Sequence, residues 1–130
     1  MLLGSGAADP LYRRSVRVSM GHVLRLPFAH LEGGFTTWQR SLQALADASF
    51  TLISLTPNPH AVHLAEAMHG LDKVAMLVGA EGPGLTEHAM KATDIRARIP
   101  MAPGTDSLNV ATAAAISFYE RQRSLSDLNV

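Results

Sequence analysis

Val74-Ala75-Met76-Leu77-Val78 runs directly into Gly79-Ala80-Glu81-Gly82-Pro83-Gly84, and this join decides the fold. Five uninterrupted apolar residues have strand length and lack the alternation of a half-wet sheet, so they predict a strand buried on both faces of a parallel sheet. The glycines that follow suit either a tight turn needing positive φ or a ligand that approaches the backbone closely, with no Cβ in the way. In open α/β sheets ligands collect at such carboxyl ends of strands.

Working outward, strands and helices alternate. Val23 to Leu26 reads as a short strand stopped by Pro27, and Thr36 to Asp47 as a helix with Trp38, Leu42, Leu45 and Ala46 at helical spacing. Thr36 and Gln39 suit a capping box. Phe50 to Leu55 reads as a strand, followed by a turn at Thr56-Pro57-Asn58-Pro59 in which Asn58 caps a helix running to His69, ended by Gly70. Thr86 to Ala92 predicts a short helix, Ala97 to Ile99 a brief strand closed by Pro100, and Asn109 to Arg123 a last helix. That helix opens on Ser107-Leu108-Asn109, which offers capping side chains and free backbone N–H groups. Its small residues Ala111 to Ala115 predict a central, buried helix. The tail from Gln122 to Val130 is polar and is expected to fray. The pattern predicts a single α/β domain with a mainly parallel sheet flanked by helices.

Composition narrows the function. The 130 residues suit one core, and 47% hydrophobic against 17% charged residues is a globular balance. Eleven basic residues match eleven acidic ones, which argues against binding nucleic acid through bulk charge but leaves room for a local patch. Arg13, Arg14, Arg17 and Arg25 form that patch; they suit RNA phosphate or a solvated face. Arg96 and Arg98, two apart on a strand, share a face and suit a surface or salt-bridge role. The absence of cysteine removes thiolate catalysis and cysteine-ligated zinc. His60 and His63 stand one helical turn apart without a third convergent ligand, so no metal is expected. Neither Gly4-Ser5-Gly6 nor the Gly79 turn matches G-x-G-x-x-G, which discounts a nicotinamide cofactor. No apolar run spans a membrane and no signal peptide is evident, so a cytoplasmic protein is expected.

Strand-Gly79-x-Glu81-Gly82-x-Gly84-Leu85, then Ile99-Pro100-Met101 and Ser107-Leu108-Asn109-Val110, resembles the second and third signature motifs of the SpoU (TrmH-type, SPOUT superfamily) RNA 2′-O-ribose methyltransferases. Asp9-Pro10-Leu11-Tyr12-Arg13-Arg14 and Arg17-Val18-Ser19-Met20-Gly21 resemble the stretch preceding those motifs, so the likeness covers nearly the whole chain. It implies a C-terminal deep trefoil knot, an exception to the unthreaded connections of most folds, and a bent S-adenosylmethionine in the knot loops. Carried over by position, Gly79, Ile99 and Leu108 hold the adenosine through backbone contacts. Glu81, Gly82, Met101, Ser107 and Asn109 line the pocket, with Thr56 as a further member. Asn109, Ser107 and Glu81 are the residues it brings to the reacting atoms, and Arg13, Arg14 and Arg17 those it brings to RNA.

The implied activity is methyl transfer to a ribose 2′-OH of tRNA or rRNA, by a homodimer joined through its last helix. Attack by a neutral hydroxyl calls for a base or an orienting group; Ser107 and Asn109 can orient but are no base at neutral pH. The family's first motif, Asn-x-Gly followed by Arg and Ala, belongs upstream of the segment resembled by residues 1–20 and is absent, so a domain shortened at its N-terminus is expected. Two alternatives stand beside the enzyme: a catalytically silent module of the same fold that binds cofactor or RNA, and an unrelated α/β nucleotide-binding protein.

Overall fold

The computed structural model describes residues 1–34, 36–79, 84–104 and 109–128, which divide into two compact units, 1–42 and 43–130. In the first unit, β1 (Leu2–Leu3) pairs in parallel with β2 (Ala29–His30). The terminal amine donates to the Pro27 carbonyl at 2.9 Å, which extends that ladder by one bond. Between them lies α1 (Arg13–Val18), fully exposed at Arg13, Arg14 and Arg17.

The strand expected at Val23 to Leu26 is instead a 3₁₀ turn, His22–Arg25. Gly21 sits at φ 77°, and the donors a ladder would need are spent locally. Val23 N–H bonds the Ser19 hydroxyl, Leu24 N–H the Gly21 carbonyl and Leu26 N–H the Val23 carbonyl. Extended pairing is deferred to β2, beyond Pro27. The helix expected over Thr36 to Asp47 is also divided, into a 3₁₀ segment, Trp38–Leu42, and α2, Gln43–Asp47. Its capping box does not form. Thr37 rather than Thr36 takes a loop N–H, from Gly34 at 2.9 Å, and the Gln39 amide donates to the Thr36 carbonyl at 2.6 Å.

The second unit is built on a four-stranded sheet, parallel throughout. Its strands are β3 (Thr51–Leu55), β4 (Val62–His63), β5 (Val74–Leu77) and β6 (Ile95–Arg98), ordered β4-β6-β3-β5. α3 (Leu64–Met68) packs against β6, and α5 (Val110–Leu128) packs against α3. The core is Ile53, Leu64, Ala67, Met68 and Ala97, with Leu55, Val74, Met76, Ile95 and Ile99 packed around it. The strand buried on both faces is β3, where Leu52, Ile53 and Ser54 are all buried; β5, expected in that place, is half-buried at the sheet's edge.

The helix expected from Pro59 to His69 exists only as α3. Asn58 does accept the His60 N–H, at 2.9 Å, but the turn closes at Ala61 and the chain then pairs with β6. A partner strand outweighs the helical signal there. Gly70 ends the element as expected, at φ 74°. α4 (Glu87–Lys91) starts as its sequence predicts, the Thr86 hydroxyl accepting the Ala89 N–H. Glu87 pairs with Arg96 at 2.7 Å, the salt-bridge role expected of that arginine. The hydrogen bond from Arg96 holds the Glu87 carboxyl below its usual range, so the pair's contribution is full above that range and is lost as pH falls on through the lowered pKa. It is a solvated pair, weakened further by salt.

α5 departs most from expectation. It runs on to Leu128 rather than fraying from Gln122, and it is not buried all round: Phe118 is 70% exposed and Tyr119 71%. The inward positions are Ser117 and Ser124, seven apart, whose hydroxyls bond the helix's own Ala113 and Arg121 carbonyls. Small residues on that stripe allow close packing on α3, while the large apolar ones face away. Arg121 anchors the helix by donating to the carbonyls of Leu71, at 2.6 Å, and Asp72.

Asp94 sets the strand register. Its carboxylate accepts the N–H of buried Leu52 at 2.8 Å, and its own N–H returns to the Leu52 carbonyl at 2.8 Å. Asp94→Ala leaves that buried N–H without its partner and is expected to cost about 1–3 kcal/mol, read from the denaturant midpoint; Asp94→Asn, which keeps an acceptor oxygen, should lose less.

Candidate functional site

Because β3, β5 and β6 are parallel, their carboxyl ends emerge on one edge of the sheet. The register pairs Ser54 with Leu77 and Leu55 with Ala97. Counted on from the first pair, Thr56 and Gly79 each lie two residues past the end of that ladder. One on from the second, Thr56 stands beside Arg98, next to Ile99. Neighbouring strands lie about 4.8 Å apart, so the three strand ends span roughly 10 Å. The Thr56 N–H donates to the Ala97 carbonyl at 2.9 Å, which closes the edge at its centre. Thr56, Gly79, Ile99 and Met101 are all half-buried.

The loop that leaves Thr56 is tightly specified. The Thr56 hydroxyl accepts the Asn58 N–H at 3.3 Å, and the Asn58 carbonyl accepts the Ala61 N–H at 3.0 Å. Pro57 and Pro59 fix φ on either side of Asn58. At its far end the Ala61 carbonyl accepts from Arg98 Nε at 3.2 Å, while Arg98 Nη2 lies 2.6 Å from His63 Nε2. His63 therefore faces a guanidinium, the opposite of a cation site.

Gly79 is required for a reason its sequence context did not single out. A Cβ there would stand 2.4 Å from both the Gly84 carbonyl carbon and the Leu85 nitrogen. The turn therefore comes back across the end of β5 and touches its own backbone; the left-handed conformation falls at Gly84, at φ 69°. Asn109 is exposed at the start of the helix expected to be buried. Its carboxamide oxygen accepts the Ala111 N–H at 2.8 Å and its carbonyl the Ala113 N–H at 2.9 Å, so it caps α5.

Of the residues expected at this site, Thr56, Gly79 and Ile99 are brought together, with Met101 two residues beyond Ile99. Glu81, Gly82, Ser107 and Leu108 lie outside the described residues. Arg13, Arg14 and Arg17 belong to the first unit, on one exposed helix, with Arg25 exposed on the turn after it. Among the described residues no helix is long and apolar enough to cross a membrane.

With this geometry in place, comparison with known proteins identifies the family. The model of the SpoU rRNA methylase family matches residues 1–119, and the chain belongs to that family. It is 52% identical over 126 residues to an uncharacterised tRNA/rRNA methyltransferase of Mycobacterium tuberculosis, covering 95% of this chain and 42% of that protein. The chain thus spans less than half the length of this relative. Among solved structures it is similar to the SpoU methyltransferase AviRb of Streptomyces viridochromogenes in complex with AdoMet. That match has a TM-score of 0.79 at 26% identity, covering 97% of this chain and 49% of the other. It is similar also to an RNA 2′-O ribose methyltransferase, with a TM-score of 0.73 at 28% identity, covering 95% and 45%.

Two substitutions probe the site. Gly79→Ala forces backbone against backbone and is expected to exceed the ~1–3 kcal/mol of ordinary overpacking, seen as a collapse of the thermal midpoint. Asn109→Ala removes a helix cap and should cost about 1 kcal/mol; a loss several times larger in chemical denaturation would mean that Asn109 holds more than α5.

Proposed function

We propose that this chain is the cofactor-binding part of an S-adenosylmethionine-dependent methyltransferase that modifies a ribose 2′-OH of tRNA or rRNA. One observation carries the reading: a member of the SpoU family brings Thr56, Gly79 and Ile99 to the carboxyl edge of a parallel sheet, each within two residues of a ladder end. That edge suits an adenosine. Backbone amides and carbonyls beyond the strand ends can read the base and ribose edges, and half-buried Ile99 and Met101 offer apolar contact to a purine face. The AdoMet-bound relative and the 2′-O ribose methyltransferase of similar fold support the cofactor and the acceptor.

In this reading Gly79, Ile99 and Leu108 hold the adenosine by their backbones, and Thr56, Glu81, Gly82, Met101, Ser107 and Asn109 complete the pocket. S-adenosylmethionine supplies an activated methyl group. The chain's part is to hold the acceptor hydroxyl in line with it. Ser107, Asn109 and Glu81 are the groups assigned to that orientation, Asn109 while capping α5. The close return of the chain over Gly79 is compatible with the knotted connection implied by the motifs. Exposed Ile116, Phe118 and Tyr119 supply an apolar face on α5 for a homodimer.

Arg13, Arg14 and Arg17, all exposed on α1, are assigned to RNA phosphates. Replacing the three by alanine should weaken RNA binding and flatten its salt dependence by roughly 2–3 units of log–log slope; an unchanged slope would assign them to a solvated face. The activity is tested by transfer of labelled methyl groups to unmodified tRNA and rRNA, followed by alkaline hydrolysis. Label is expected in alkali-resistant dinucleotides, because a methylated 2′-oxygen cannot attack the neighbouring phosphate. Label in mononucleotides would point to a base and overturn the ribose assignment. No heat of binding with millimolar S-adenosylmethionine, roughly −4 kcal/mol of affinity, would overturn the cofactor.

A further inference from the structure

We infer that Arg98 is a positioning residue that presets the cofactor edge by tying the Thr56 loop to the strand that carries Ile99 and Met101; this rests on the reading of that edge as an S-adenosylmethionine site. The loop from Thr56 to Ala61 is held at both ends by consecutive residues of β6. At its start the Thr56 N–H bonds the Ala97 carbonyl at 2.9 Å. At its end the Ala61 carbonyl takes the Arg98 Nε proton at 3.2 Å. The other arm of the same guanidinium reaches His63, the register partner of Arg98 on β4, at 2.6 Å.

The chemistry needs an arginine. Nε and Nη2 donate in two fixed directions from one plane, so a single side chain holds a loop carbonyl and a strand side chain at once. A lysine ammonium is a point donor on a flexible stem and can keep one of those contacts but not impose the angle between them. The imidazole accepts at Nε2, which places its proton on Nδ1. Arg98 is half-buried, and its neighbours in sequence already serve the edge: Ala97 closes the ladder to Thr56, and Ile99 opens the Ile99-Pro100-Met101 segment. Loss of the guanidinium leaves the loop end held by the Asn58 turn and the β4–β6 ladder alone, with the core side of β6 in place, because Ala97 and not Arg98 belongs to the buried cluster. The consequence falls on preorganisation: a less constrained loop must be ordered when the cofactor binds, and affinity drops by that amount.

The test is calorimetry of the full chain with S-adenosylmethionine and with S-adenosylhomocysteine, alongside thermal midpoints. Arg98→Ala and Arg98→Lys are both expected to weaken binding of the two ligands by about tenfold or more. His63→Ala should weaken binding by a smaller factor, and His63→Gln, which restores an acceptor oxygen, should recover most of it. That recovery separates positioning from general destabilisation, and the His63 pair reads the same contact if an Arg98 variant does not fold. Unaltered affinity in folded Arg98→Ala, or equal affinities for His63→Ala and His63→Gln, overturns the inference. The two failures are distinguishable: no binding by the unaltered chain overturns the cofactor assignment itself, whereas tight binding by the unaltered chain and by Arg98→Ala alike overturns only the role of Arg98.

Discussion

Ile53 and Ser54 are sealed from solvent because β3 has a parallel strand on each side, β5 and β6, and everything the site offers follows from that pairing. A central strand must satisfy every backbone group through its neighbours, and β3 does so even where the ladder ends. Asp94 supplies a carboxylate to Leu52 just before β6 begins, and Ala97 supplies a carbonyl to Thr56 just after β3 stops. Inside the strand, the Ser54 hydroxyl shares a hydrogen bond with Thr93, whose own hydroxyl donates to Met90. Register is therefore pinned at three levels along β3. A one-residue slip would turn Ile53 out of the core and move Thr56 away from Gly79.

From this constraint the shared carboxyl edge follows without further design. Parallel strands put their carboxyl ends on one side, so segments about twenty to forty residues apart in sequence meet there. The described residues at each strand end are held by their own means. The Thr56 loop relies on two prolines and the Asn58 turn. The Gly79 turn folds back so closely that only a residue without a Cβ fits. The α5 entrance is fixed by Asn109. Preorganised loops on a rigid sheet are the usual arrangement for a site that must hold a ligand in one geometry.

Where the sequence misled, local preference lost to a partner or to local hydrogen bonding. Val23 to Leu26 has strand composition, but Ser19 and the left-handed Gly21 capture its donors first. Val62 and His63 sit in a helical pattern, yet β6 offers them a ladder. α5 looks buried by composition because alanines dominate its first turns. Its large side chains, Phe118 and Tyr119, are in fact exposed, while Ser117 and Ser124 are the buried positions. Periodicity counts apolar positions without saying which neighbour covers them.

Taken alone, the sequence determined the α/β class, strands at Phe50 to Leu55 and Val74 to Val78 to within a residue, the short helix beginning at Thr86, and the motifs of the SpoU family. These are short-range signals, carried by runs of side chains and by capping or turn residues within a few positions. Tertiary structure decided which strand lies at the centre, which residues meet at the edge, and that Gly79 is required by its own returning backbone. It also decided that Arg98 reaches Ala61 and His63. Apart from the return over Gly79, which comes from Gly84 and Leu85, these facts depend on segments about twenty to forty residues apart, and no local pattern records where a distant strand will lie.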